Sequence, residues 1–322
     1  MTGTITPDDL GCTLMHEHLM IGYPGWEADT LRPGPTRREM FEVCVDRIEE
    51  MKAKGITAML DPCPNDLGRD VEFMAEVAQR TSFNLICATG LYKQAEGGVA
   101  YWHFRGNFGP VVDAMAELFI RELSEGIGST GIRAGIIKVA TGPGQITDYE
   151  RNILLAAAKA SVETGAPITT HTDEGTMGDE QQRILTGHGV PAHRIVIGHS
   201  CGTSDHAYHM KIARGGSYLG FDRLGLDALH PDAERVKSLL AVLAAGGGDR
   251  LVVSHDSVWC WRGEPFANPE VARTFAESHT PLHFTRKIAP QLAEGGATQV
   301  QIRALTVDNP RRFFAGEALP TL

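Results

Sequence analysis

Apolar positions along this 322-residue chain alternate between two textures. Short β-branched or apolar runs that end in polar residues occur at 12–18, 56–63, 83–90, 134–141, 166–172, 194–200, 217–223 and 250–256. Runs of this kind are the pattern of parallel strands covered on both faces. Most are followed by a stretch with apolar residues every third or fourth position, the pattern of a helix with one buried face. These stretches are 36–55, 68–81, 111–126, 149–165, 179–189 and 233–247. In the first, apolar residues stand at 40, 41, 43, 45, 48 and 51, and Gly55 follows where a helix end favours glycine. Strands alternating with helices imply βαβ units and a parallel sheet. Eight such units predict a (β/α)8 TIM barrel spanning 1–322 as a single domain, rather than an open doubly wound sheet. The first run leads into no glycine-rich phosphate loop, which weakens a nucleotide-binding reading.

Composition narrows the function classes. Hydrophobic content of 42% and charged content of 22% are ordinary for a globular protein. A formal net charge of −10 argues against a phosphate-neutralising surface, so no nucleic-acid partner is expected. No apolar run reaches the length of a membrane span, and the first residues, MTGTITPDDLG, have neither the basic nor the apolar segment of a signal peptide. Cys12, Cys44, Cys63, Cys87, Cys201 and Cys260 form no C-x-x-C pair and read as reduced thiols of a cytoplasmic protein.

In a barrel of this kind the active site lies at the C-terminal ends of the strands. Those ends carry His16 and His18, Lys138, His171, His199, Asp222 with Arg223, and Asp256. On a strand, residues two apart share a face, so His16 and His18 in MHEHL aim at one point if 12–18 is a strand. An isolated H-x-H is weak evidence of a metal. Four histidines and a carboxylate from separate strand ends suit a pair of borderline divalent metals such as Zn, Co, Mn or Fe. Two such ions can hold a hydroxide between them and polarise a substrate oxygen. Lys138, between Ile137 and Val139, is expected to be buried, and burial favours the neutral amine. It either pairs with a carboxylate or adds carbon dioxide to become an anionic carbamate that bridges metals. His255 alternates with Asp256 and reads as a partnered histidine of the barrel wall.

The stretches MHEHL, GIIKVAT, EQQRILTGHGV, RIVIGHS, GSYLGFDRLGLD, VVSHDSVWCWRG and NPRRFFAG extend from residue 15 to residue 316. Together they resemble a phosphotriesterase-like lactonase of the amidohydrolase superfamily, close to the bacterial quorum-quenching N-acyl-homoserine lactonases. The resemblance implies that His16, His18 and Asp256 bind a buried metal and that His171 and His199 bind a more exposed one. It implies that N6-carboxylated Lys138 and a hydroxide bridge the two ions. Asp256 would take the proton, Tyr92 would orient the lactone, and Arg223 would border the site. It also implies a homodimer. Asp222 and Asp227 receive no catalytic role and read as loop hydrogen-bonding residues.

The segment after the eighth run departs from the family. Trp259 and Trp261 there either pack the loop onto the barrel or wall an apolar channel for an acyl chain; the channel is the reading adopted. The segment 92–107 is expected to form the other wall. The resulting function is hydrolysis of a small-molecule lactone, with weak phosphotriesterase side activity. The alternatives are a phosphotriesterase proper and a catalytically silent metal-binding barrel.

Overall fold

The computed structural model describes residues 3–322. Its centre is an eight-stranded, all-parallel sheet: β1 (Cys12–Leu14), β2 (Ile56–Asp61), β3 (Asn84–Gly90), β4 (Ile136–Lys138), β5 (Ile168–Thr169), β6 (Ile195–Ile197), β7 (Tyr218–Phe221) and β8 (Leu251–Val253), hydrogen-bonded in sequence order. Each of the eight predicted runs contains a barrel strand, and helices between them give the (β/α)8 architecture.

One prediction needs correction. The run 12–18 is not a continuous strand, because the chain bends at Met15 and His16 and then resumes as an extended segment, Glu17–Ile21. That segment pairs in parallel with Ser257–Trp261, the continuation of β8, with Glu17 opposite Ser257 and Ile21 opposite Trp261. The Asp256 N–H donates to the His16 carbonyl at 2.9 Å, and the His16 N–H donates to Ser254 Oγ at 3.0 Å. The first and last strands therefore join above the barrel body, and the bend places His16 at the joint.

Alternation along the strands sorts two cores. Met15, Leu60, Ala88, Ile136, Val196, Tyr218 and Val252 point inward and fill the barrel. Ile137, Ile168, Ile195, Ile197, Leu219, Phe221, Leu251 and Val253 point outward against helical residues such as Ile153, Leu154, Ile184 and Leu239. Each such side chain contributes about 1.5–3 kcal/mol by leaving water. The six predicted helices are present as Arg37–Lys52, Val71–Thr81, Val112–Ser124, Asp148–Thr164, Gly178–Gly187 and Asp232–Ala244. The fourth shows why such stretches start and stop where they do. Thr147 and Glu150 form a reciprocal capping box at the start of Asp148–Thr164, and Gly165 ends that helix in the left-handed region. The NPRRFFAG motif closes the barrel floor. Phe313 inserts beneath Tyr218 with ring centroids 5.3 Å apart, and Asn309 Nδ2 donates to the carbonyls of Gly248 and Leu251 at 2.8 and 2.7 Å.

The helices Val99–Gly106, His206–Arg214, Pro269–Ser278, Ala289–Glu294, Gln299–Thr306 and Asp308–Ala315 were not predicted; each is short, six to ten residues. All six cysteines are unpaired. Among the described residues, no helix is long and apolar enough to cross a membrane.

Candidate metal centre

The site residues stand at or just beyond the strand ends. Asp61, Gly90 and Lys138 end β2, β3 and β4; His171, His199 and Asp222 follow β5, β6 and β7 within two residues. His199 (φ 57°) and Asp256 (φ 54°) adopt the left-handed backbone that side chains avoid. Such strain persists only where surrounding contacts enforce it, and here both residues turn into the barrel mouth. Glycines make the room. A Cβ on Gly90 would collide with the Lys138 backbone, and one on Gly220 would lie 2.5 Å from Asp222 Oδ2.

Each of three imidazoles gives one nitrogen to a carboxylate and turns the other inward. His16 Nδ1 lies 3.2 Å from Asp222 Oδ2, His199 Nδ1 lies 2.8 Å from Asp222 Oδ1, and His18 Nδ1 lies 3.1 Å from Asp61 Oδ1. Their Nε2 atoms gather around Asp256. Oδ1 is 3.5 Å from His16 and 3.2 Å from His18, and Oδ2 is 3.7 Å from His199. Lys138 Nζ lies 3.2 Å from His16 Nε2. The His171 ring is edge-on to that of His199, with centroids 4.6 Å apart. The structure thus brings His16, His18, Lys138, His171, His199 and Asp256 together, and Tyr92 reaches over them with its hydroxyl 3.3 Å from His171 Nδ1. Arg223 Nε donates to Asp256 Oδ2 at 2.9 Å.

The electrostatics suit cations. Burial holds the His16 imidazole below its ordinary range, aided by Lys138, and pushes His199 down to about 3, with Arg223 adding to the effect. Burial likewise keeps His171 neutral beside His199. Three lone pairs are therefore available. His18 differs: burial opposes its charge, but hydrogen bonds to Asp256 and Asp61 prevail and raise it well above the usual range. Burial would raise the Asp256 carboxyl, yet His199, His16 and Arg223 hold it well below the usual carboxylate range. Burial pushes the Lys138 amine down to about 8, against the pull of Asp256 and Asp222.

Donor atoms of His16, His18 and Asp256 lie within 4.8 Å of one another, as do those of His16, His199 and Asp222. His199 Nε2 is buried and has no hydrogen-bond partner. An orphaned imidazole nitrogen 3.7 Å from the Asp256 carboxylate is costly without a ligand, so the residues present fit divalent metal ions.

These groups form the floor of a cavity of about 700 Å³. Its walls are largely apolar: Ile21, Tyr23, Leu226, Leu229, Val258, Trp261, Val271 and Phe275. Two expectations about the walls are corrected. Trp261 lines the cavity and stacks on Tyr23 at 6.3 Å, but Trp259 does not line it. The Trp259 ring packs on the cluster of Leu14, Met40 and Leu282, and its Nε1 donates to Ser257 Oγ at 2.9 Å. Strict alternation would put 259 and 261 on one face. In this two-stranded ribbon the cavity-lining positions fall three apart instead, His18 and Ile21 on one strand, Val258 and Trp261 on the other. The second correction concerns 92–107, which supplies only Tyr92 among the described lining residues. The opposite wall comes from Gly225–Leu229 and from the helix Pro269–Ser278.

The roles of the carboxylates behind the histidines were not visible from sequence. Asp222 bridges His16 and His199, a larger part than loop hydrogen bonding, and Asp61 orients His18. Asp227 is as expected, accepting from the Asp232 N–H at 2.7 Å. His255 is fully buried between the Glu17 carboxylate, 2.6 Å away, and the Phe284 N–H, 2.9 Å away.

A (β/α)8 barrel with convergent histidines, a lysine and an aspartate at its strand ends defines a class of metal-dependent barrel hydrolases. Within it, the profile of the Phosphotriesterase family matches residues 1–314, and the chain belongs to that family, whose members are metal-dependent hydrolases. It is 36% identical to the phosphotriesterase homology protein of Mycobacterium tuberculosis (strain ATCC 25618 / H37Rv), over 97% of this chain and 95% of that protein. It is 32% identical to an aryldialkylphosphatase of Saccharolobus solfataricus, over 97% of both. Among solved structures, the organophosphorus hydrolase from Deinococcus radiodurans superposes with a TM-score of 0.93 at 41% identity, over 97% of this chain and 95% of that one. A mutant PTE-like lactonase from the same organism gives 0.93 at 40% identity, over 97% and 98%.

Proposed function

We propose that this protein is a binuclear metal-dependent lactonase that opens the ring of N-acyl-homoserine lactones and hydrolyses phosphotriesters weakly. The observation that carries the reading is a polar floor of convergent ligand atoms beneath a cavity with apolar walls. A lactone ring matches such a floor, and an acyl chain matches such walls. His16, His18 and Asp256 would hold one ion, and His171 and His199 the other. Lys138, as its carbamate, would bridge them. When bound, divalent ions would polarise a carbonyl oxygen and lower the pKa of water to about 7.

The chain's own groups do the rest. Burial keeps the Tyr92 phenol protonated well above its ordinary range, so it is a donor at neutral pH. Its hydroxyl lies over the floor, where charge develops on the carbonyl oxygen during attack. Asp256 accepts the proton of the attacking water and returns it to the ring oxygen, which leaves as an alcohol. Arg223 keeps that carboxylate ionised and fixes its rotamer. Removing one oxyanion donor typically costs about 10²–10³-fold, and a neighbouring ion softens the loss. Tyr92→Phe is therefore expected to lower lactonase kcat about tenfold with little change in metal content. Unchanged kcat would remove Tyr92 from the mechanism.

The Saccharolobus and Deinococcus relatives favour a second reading, a phosphotriesterase proper, since the same floor would accept a phosphoryl oxygen. A panel of lactones, esters and a phosphotriester on one metal-replete preparation separates the two by kcat/KM. Chain length tests the walls. Each buried methylene adds about 0.8 kcal/mol, so kcat/KM is expected to rise with acyl length. Trp261→Ala should flatten that rise with both ions retained, whereas Trp259→Ala should leave it intact. Equal kcat/KM for short and long acyl chains in the wild type would contradict the channel.

A further inference from the structure

His171 is held the other way round from its neighbours. His16, His18 and His199 give Nδ1 to a carboxylate and keep Nε2 for the cavity, whereas His171 gives Nε2 to Asp173 Oδ1 at 2.8 Å and turns Nδ1 toward Tyr92. A neutral imidazole carries one N–H and one lone pair, and the bond made by one nitrogen decides which nitrogen keeps the lone pair. With Nε2–H donated to Asp173, the lone pair sits on Nδ1 and faces inward. Without that acceptor, only the longer contact of the Tyr92 hydroxyl with Nδ1, at 3.3 Å, would favour the proton on Nε2.

Asp173 is itself fixed with unusual care. The next two residues, Glu174 (φ 54°) and Gly175 (φ 63°), are both left-handed, and the Thr176 N–H and Oγ1–H both donate to the Asp173 carbonyl at 2.9 Å. From the loop after β3, Lys93 reaches across, with Nζ 2.6 Å from Asp173 Oδ2 and 3.2 Å from Glu96 Oε1. This lysine is 7% exposed, and lysines are seldom buried unless paired. Because Lys93 follows Tyr92 directly, the ion pair also ties the tyrosine's loop to that of His171.

We propose that Lys93 and Asp173 are a positioning pair that locks His171 with its Nδ1 lone pair toward the cavity and thereby sets the affinity for the ion held by His171 and His199. The inference rests on the two-ion reading and concerns one of the two sites. Partners that orient a metal-binding histidine typically carry 10–100-fold in affinity. In competition with a chromophoric chelator, Asp173→Ala should bind one zinc ion about 10–100-fold more weakly and the other with wild-type affinity. Lys93→Met should weaken the same ion less. The double variant should be no weaker than Asp173→Ala, because Lys93 acts through Asp173. Asp173→Asn, which keeps an acceptor oxygen, should recover part of the loss. In ¹⁵N spectra of the chelator-treated protein, His171 should be the Nε2–H form in the wild type and mixed in Asp173→Ala. Should Asp173→Ala not yield folded protein, Lys93→Met and Asp173→Asn carry the same measurements. A wild type that binds a single ion would remove the two-ion reading and this inference together. A wild type with two ions would remove the inference alone if Asp173→Ala bound both normally, lost both equally, or left the His171 form unchanged.

Discussion

Lys138→Ala is expected to leave a folded barrel that holds little metal and hydrolyses lactones at least about a thousandfold more slowly, since bound ions supply several kcal/mol of transition-state stabilisation. The side chain is 2% exposed, ends β4, and contacts His16 and the Thr170 carbonyl. A bare ammonium here would repel cations; a carbamate would bridge them. Burial lowers the amine to about 8, so a useful fraction is neutral under mild conditions. Carbamate forms only from the neutral amine. At fixed carbon dioxide pressure, reconstitution of stripped wild-type protein should therefore quicken as pH rises from about 6 towards 8 and level off above it. A short carboxylic acid added to Lys138→Ala should restore part of both metal content and rate by supplying the missing oxygens. An alanine variant that keeps both ions and its turnover would show that Lys138 is only a buried lysine.

Asp256→Asn is the second large effect. The amide keeps the volume and can still accept from Arg223, but it is a poor metal ligand and cannot take a proton. General acid–base groups contribute about 10²–10⁴-fold, and lost coordination adds to this, so kcat should fall at least about a thousandfold. The acidic limb of the pH–rate profile should vanish from whatever activity remains. Arg223→Ala should act through the same carboxylate by loosening Oδ2, with a smaller loss. Turnover in Asp256→Asn within tenfold of the wild type would place proton transfer elsewhere.

The strands were legible because each is apolar on both faces and short, and the helices because each has one apolar stripe. The bend at Met15 and His16 was not. It depends on Ser254, which is distant in sequence and supplies a side-chain oxygen where a strand partner would supply a carbonyl. The metal-binding candidates could be read from their recurrence at strand ends, a pattern that position in the fold makes meaningful. Asp61, Asp222 and Asp173 could not, since a carboxylate that orients a histidine has no fixed spacing from it: Asp222 serves residues 206 and 23 positions away. The cavity walls were the least legible part. They depend on a two-stranded ribbon in which Trp261 lines the cavity and Trp259 packs on the core although both stand at the same parity.

The central claim is that turnover requires two ions at this site. The direct measurement is to strip the protein with chelator, add cobalt or manganese in known equivalents, and follow hydrolysis of a long-chain N-acyl-homoserine lactone. Activity should be absent from the stripped protein, rise with added metal, and saturate at about two equivalents per chain. Full activity in metal-free protein, or saturation at a single equivalent, would contradict the account.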